Sequence, residues 1–113
     1  MRRLIKNDQM ISVSYSLRGD AEAVYKAGNN KKMLEMAKGW AKQANEWFPH
    51  FSNEAVYAGL LYKTGEKQKA IKLMEKASKD PILKNALEMQ KLIIANVAQM
   101  KKGEAPKYLW NTK

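Results

Sequence analysis

The sequence predicts an all-α domain, a stack of antiparallel helical hairpins of about five helices arranged as an α-α superhelix. Three observations predict it. Apolar residues recur at i, i+3, i+4 and i+7 through most of the chain. Gly28, Gly65 and Gly103 punctuate it at intervals of 37 and 38 residues, a period suited to stacked helical hairpins. A short text also recurs across that period, Tyr25-Lys26-Ala27-Gly28 matching Tyr62-Lys63-Thr64-Gly65, and the same shift of 37 lays Lys32 on Lys69, Leu34 on Ile71 and Met36 on Leu73.

Residues 1–7 read as a flexible lead, after which Ile11 to Leu17 alternates apolar and polar residues in a strand pattern. Met10, Val13, Leu17, Ala21 and Val24 also fit one helix face, and a lone strand has no sheet to join. The segment is therefore expected to be helical, with a distortion near Gly19. From Asn30 to Phe48, Met33, Met36, Ala37, Trp40, Ala44 and Trp47 form one stripe, and Pro49 ends the helix because it lacks an N–H and disfavours helical geometry in the residue before it. Ser52 is the expected N-cap of the next helix, with Phe51 and Val56 as its hydrophobic staple. That helix, from about Asn53, is apolar nearly all round and should be the buried middle one, stopped by Gly65. From Glu66 to Lys79 the core stripe is Ala70, Leu73, Met74 and Ala77. Asp80-Pro81 then reads as cap and first position of one long helix carrying Leu83, Ala86, Leu87, Gln90, Ile93, Ile94, Val97 and Met100 to Gly103. Residues 104–113 form a tail.

Length and composition bound the function. The 113 residues suit one domain, since domains commonly run ~100 to 150 residues. Without cysteine there is no disulfide framework, thiolate nucleophile or Cys-based metal site, and a single histidine removes most His-ligated ones. No cofactor and no metal are expected. Acid-base pairs and phosphate-cradling glycines at fixed spacing are also missing, so the expectation is a non-catalytic chain. The net charge of +10 favours acidic partners, yet the cations are mostly lysines spread from Lys6 to Lys113, so solvation outweighs nucleic-acid recognition as their role. The longest apolar run, Ala55 to Tyr62, is far short of the ~20 residues of a membrane span, and no export signal is legible at the start.

The segment Asn53 to Pro81 resembles a tetratricopeptide repeat. In that resemblance Ala58 takes the small position of the first helix, Leu61 the large apolar one a turn later, Ala70 and Ala77 the small positions of the second helix, Met74 the aromatic position and Pro81 the closing proline. Glu54 stands where the family has tryptophan, Pro81 comes one residue early, and Met33 and Trp40 replace the two small residues in the preceding repeat. More narrowly, Lys31 to Trp40 followed by Tyr57 to Gly65 resembles the C-terminal helical tail of certain bacterial thioredoxin-family proteins. That resemblance implies an upstream thioredoxin domain, a chain that is a piece of a longer protein, and a periplasmic or cell-envelope setting; a free-standing chain would be cytoplasmic.

The tetratricopeptide resemblance implies a protein-interaction module with a peptide groove at Tyr25, Lys26, Ala55, Gly59, Tyr62 and Lys63, suited to an acidic protein or peptide. The alternative reading of the two tyrosines is simple packing between helices. A basic face at Lys69, Lys72, Lys76 and Lys79 is the candidate for the rival function, a small nucleic-acid-associated helical protein, against a solvated outer face. Tyr108-Leu109-Trp110 is too apolar for an idle linker and should fold back on the last helix or anchor a partner. His50, with no legible catalytic companion, reads as a turn residue.

Overall fold

A computed structural model describes residues 2–28 and 30–111, with side chains from residue 9 onward. Helices α1 (Arg2–Ala27), α2 (Lys31–Trp47), α3 (Phe51–Lys63), α4 (Lys67–Ser78) and α5 (Leu87–Lys101) follow one another, with a 3-10 turn, Pro81–Asn85, before α5. No strand occurs among the described residues. Each helix packs on the next through a short connection, and α1 also lies against α3, so α3 is enclosed by neighbours as its all-round apolar composition requires. From Phe51 to Tyr62 only Tyr57 escapes full burial.

α1 takes in residues 2–7 of the expected lead and runs through Gly19 without a break. Within its strand-like stretch Ser14 Oγ donates to the Ile11 carbonyl at 2.7 Å, inside the helix's own turn, so a buried hydroxyl is satisfied without interrupting the helix. The buried face overlaps the expected apolar one at Ala21, with Val24 packed beside it, but is rotated toward Ser14 and Tyr25. Ser14, Ala21 and Tyr25 are buried, while Val13 is 43% exposed.

The same rotation appears on α2. Its buried residues are Leu34, Ala37, Ala41 and Ala44: of the expected stripe Ala37 and Ala44 are buried and Trp40 packs partly against the core, whereas Met33 is 48% and Met36 53% exposed. Three alanines let α1 and α3 approach on both sides, and Trp40 packs at the edge of that contact, partly buried against the core. Asn30 caps α2, its side chain accepting from Met33 N–H at 3.1 Å.

α3 starts two residues earlier than expected, at Phe51, and its cap is His50 rather than Ser52. His50 Nδ1 accepts from Ser52 N–H at 3.2 Å, while Ser52 Oγ accepts from Arg18 of α1 at 2.7 Å. α4 keeps the expected core of Ala70, Met74 and Ala77. Gly65 and Gly103, at φ +97° and +90°, hold the left-handed conformation that closes α3 and α5.

The expected single helix from Pro81 is instead broken at Ala86, whose φ of −144° is not helical. Asp80 still caps, accepting from Ile82 N–H at 3.0 Å and from Phe51 N–H at 3.1 Å. The break re-phases the apolar residues. Leu83 and Ile93 are both fully buried, whereas Leu87 and Ile94, which one continuous helix would have placed beside Leu83, are 58% and 53% exposed.

Candidate functional site

The shift of 37 residues that pairs Tyr25 with Tyr62 places equivalent side chains on α1 and α3. Both tyrosines are buried, and so are the small residues one turn before them, Ala21 and Ala58. Each phenol donates to a carbonyl near the C-terminal end: Tyr62 to Met100 at 3.2 Å and Tyr25 to Pro106. Burial, with Tyr62 nearby as the smaller cause, raises the Tyr25 phenol well above its ordinary range, so it stays protonated and serves as a donor.

The carbonyl that Tyr25 meets belongs to the tail. After Gly103 the chain turns back and lies across α1, α3 and α5. The Asn96 side chain of α5 donates to two successive tail carbonyls, Tyr108 at 2.8 Å and Leu109 at 2.9 Å. Leu109 is fully buried over Gly59, where a Cβ would lie 2.5 Å from Leu109 Cδ2. Trp110 donates from Nε1 to Glu22 at 3.2 Å, its ring lies 4.7 Å from the Arg18 guanidinium, and its centroid is 6.1 Å from that of Phe51.

This arrangement re-sorts the residues singled out from the sequence. Ala55, Gly59 and Tyr62 are buried, because the protein's own tail and neighbouring helices cover them, and they line no open groove. Tyr25, Lys26 and Lys63 do meet an open space. With Ala105, Pro106, Lys107 and Tyr108 they surround a cavity of about 480 Å³ at the mouth of the groove. Lys63 Nζ donates to the Tyr25 carbonyl at 2.8 Å and lies 4.0 Å from the centre of the Tyr25 ring; burial lowers its pKa. Lys26 lies 3.6 Å from Glu22.

The four lysines of the other candidate face are exposed along α4 and just after it, and acidic neighbours already engage two of them. Lys69 is 3.4 Å from Glu66, and Lys76 is 3.4 Å from Glu54. Glu54 is buried, which raises its pKa against the opposing pull of Lys76. His50 has a companion the sequence did not reveal, Ser52 Oγ at 2.8 Å from Nδ1. Ser52 is fully buried, and the pair, with Arg18, serves to cap α3.

Sequence reasoning missed Asn96, Glu22, Arg18 and Pro106. Asn96 did leave a signal: it sits three residues after Ile93 and four before Met100, a polar side chain on a buried stripe, which needs hydrogen-bond partners. Among the described residues no group of three His, Cys, Asp or Glu is placed to hold a metal, and no helix is long and apolar enough to cross a membrane. No family model, curated protein or solved structure matches the chain.

Proposed function

We propose that the chain is a non-catalytic protein-interaction module, a tetratricopeptide-like stack of hairpins that offers the α1/α3 side and its basic mouth to an acidic protein segment. The cavity between Tyr25, Lys26, Lys63, Lys107 and Tyr108 supports this reading. Two aromatic residues give apolar contact, and three ammonium groups with no carboxylate in the lining favour an anionic side chain there. Lys63 is partly buried and tethered to the Tyr25 carbonyl, so less of its freedom is lost on binding.

Titration of the ¹⁵N-labelled chain with an Asp/Glu-rich peptide at physiological salt tests the reading. Amide shifts centred on Lys26, Lys63 and Lys107 are expected, with affinity falling at least about fivefold in the Lys26→Gln, Lys63→Gln double variant, in line with the loss of two charge-assisted contacts. Shifts spread instead along Lys69 to Lys79, or a preference for oligonucleotides that collapses steeply between low and physiological salt, would replace it with the nucleic-acid reading.

A further inference from the structure

We propose that the groove formed by α1, α3 and α5 is a binding site for an extended partner segment with the pattern Pro-x-x-Leu-aromatic, occupied in this chain by its own residues 106–110 acting as a displaceable internal ligand. The inference rests on the interaction-module reading and adjoins its basic mouth, which shares Tyr25 and tail residues 106–108, but it concerns the covered groove beneath the tail.

The way the tail is held carries the inference. A segment built into a core is usually read through its side chains and joined by regular structure. Here Leu109 joins the core through its side chain, and the main chain is read as well: Asn96 donates to the Tyr108 and Leu109 carbonyls, and Tyr25 donates to that of Pro106. Three carbonyls are read within four residues, which is how a helical surface grips an extended peptide independently of most of its sequence. Selectivity then lies in three anchors. Pro106 and Leu109 are buried, Trp110 is half-buried, and Lys107 between them points to solvent. The Leu109 niche exists because residue 59 is glycine: any side chain there would collide with the leucine and press on Tyr25. The aromatic niche is equally specific, with Glu22 receiving the indole N–H and Arg18 covering the ring.

The attachment suits release. Residues 102–105 are all exposed, and the tail has no helix or strand of its own to unravel. Detaching it therefore disrupts only its contacts with the groove. An outside segment with the same anchors makes the same contacts and differs only by the effective concentration that the tether confers on the internal copy.

The test uses the full chain with the tail expelled by Leu109→Glu and Trp110→Glu, and a fluorescent peptide of sequence 104–113 as probe. Anisotropy should show the peptide binding the expelled-tail variant at least about tenfold more tightly than the native chain, where the tether competes. Adding Asn96→Leu to that variant should weaken binding again by about tenfold, the size of one to two lost hydrogen bonds. Equal, weak binding to both chains, with helicity intact by circular dichroism, would overturn the proposal and make the tail a fixed part of the core. Concentration-dependent dimers of the native chain that vanish in the expelled-tail variant would also overturn it, because the groove would then serve exchange between copies.

Should the variant not fold, hydrogen exchange on the native chain decides. Amides of residues 107–111 should open at least about a hundredfold more readily than those of Leu60 and Leu61, as local release requires; equal protection would refute release. The acidic-peptide titration uses the native chain with its tail in place, whereas these readouts follow the tail and its groove, so the two proposals fail separately.

Discussion

The inner side of α3 and the outer side of α2 are both rich in large apolar residues, yet one is dry and the other faces water. On α3, Leu60, Leu61 and Tyr62 are at most 5% exposed, whereas on α2 Met33, Met36 and Trp47 are 37% to 53% exposed. The difference lies in what covers each. α3 is sandwiched between α1, α2 and α4, and the tail closes its remaining side with Leu109. α2 has α1 and α3 on its alanine face, and no described element lies over its methionines. Apolar spacing identifies a helix; cover decides which of its faces becomes core.

The largest expected effect breaks the sandwich itself. Ala58 is fully buried at a close helix contact, and Ala58→Trp asks the surrounding helices to part. Overpacking by far smaller groups costs about 1–3 kcal/mol, so this variant should lose its cooperative thermal transition in far-UV circular dichroism. Melting near that of the parent chain would show that α3 is not enclosed as described.

A matched pair of truncations sharpens the contrast. Leu109→Ala removes a fully buried side chain and should cost about 2–4 kcal/mol. Met36→Ala, on the open face of α2, should change stability by no more than about 0.5 kcal/mol. Urea midpoints for the two variants decide it. A large loss at Met36 would mean that a second copy covers α2 in solution, and the loss would then depend on protein concentration.

These contrasts also separate what was legible in the sequence from what was not. The number of main helices and the enclosure of α3 were readable, because both follow from periodicity and punctuation along a continuous stretch. The phase of the buried face was readable only in part: Ala21, Ala37 and Ala44 lie on the expected faces and are buried, but Val13, Met33 and Met36 are exposed. On α1 the sequence favoured Val13, but Ser14 satisfies its hydroxyl on the Ile11 carbonyl and can therefore be buried in its place. On α2 small size outweighed hydrophobicity, since alanines allow closer approach than methionine and tryptophan. The site was legible only at its edges: Tyr25, Lys26 and Lys63 reach the cavity. Its centre depends on a chain reversal after Gly103 that brings Leu109 to Gly59, and no local pattern carries a contact between positions so far apart.

A smaller effect isolates the contact between Gly59 and the tail. Within a helix, alanine is favoured over glycine by about 1 kcal/mol. In the native chain Gly59→Ala sets that gain against a Cβ crowding the end of the Leu109 side chain, so its net effect should be near zero or destabilising. Once Leu109 is alanine, the two closest crowding atoms are gone and only Tyr25 Cε1 remains, at 3.0 Å, so the same substitution should become clearly more favourable, approaching the helix preference of about 1 kcal/mol. A double-mutant cycle of Gly59→Ala with Leu109→Ala reads the difference as a coupling; additive effects would mean that Leu109 does not occupy the niche.

The smallest effect concerns protonation at the start of α3, where His50 caps the helix and Glu54 lies in its first turn. His50 Nδ1 accepts from Ser52 N–H, so the neutral ring carries its proton on Nε2, and a second proton would abolish the cap. Burial foremost, with Arg18 adding to it against the pull of Asp80, lowers the folded pKa below the ordinary histidine value of 6.5. As pH falls through 6.5 the unfolded chain takes up the proton first, so stability declines until the folded pKa is passed. Glu54 works the other way. Burial raises its pKa above the ordinary 4.5, so the folded chain takes up that proton first, and stability rises as pH falls from the folded Glu54 pKa toward 4.5. Replacing His50 with asparagine, which caps without titrating, should flatten the decline just below pH 6.5, and Glu54→Gln should flatten the opposing rise at lower pH. Urea midpoints at stepped pH would show both. An unchanged slope below pH 6.5 in His50→Asn would mean that the imidazole does not hold the start of α3, and that enclosure by α1 and α2 fixes this end unaided.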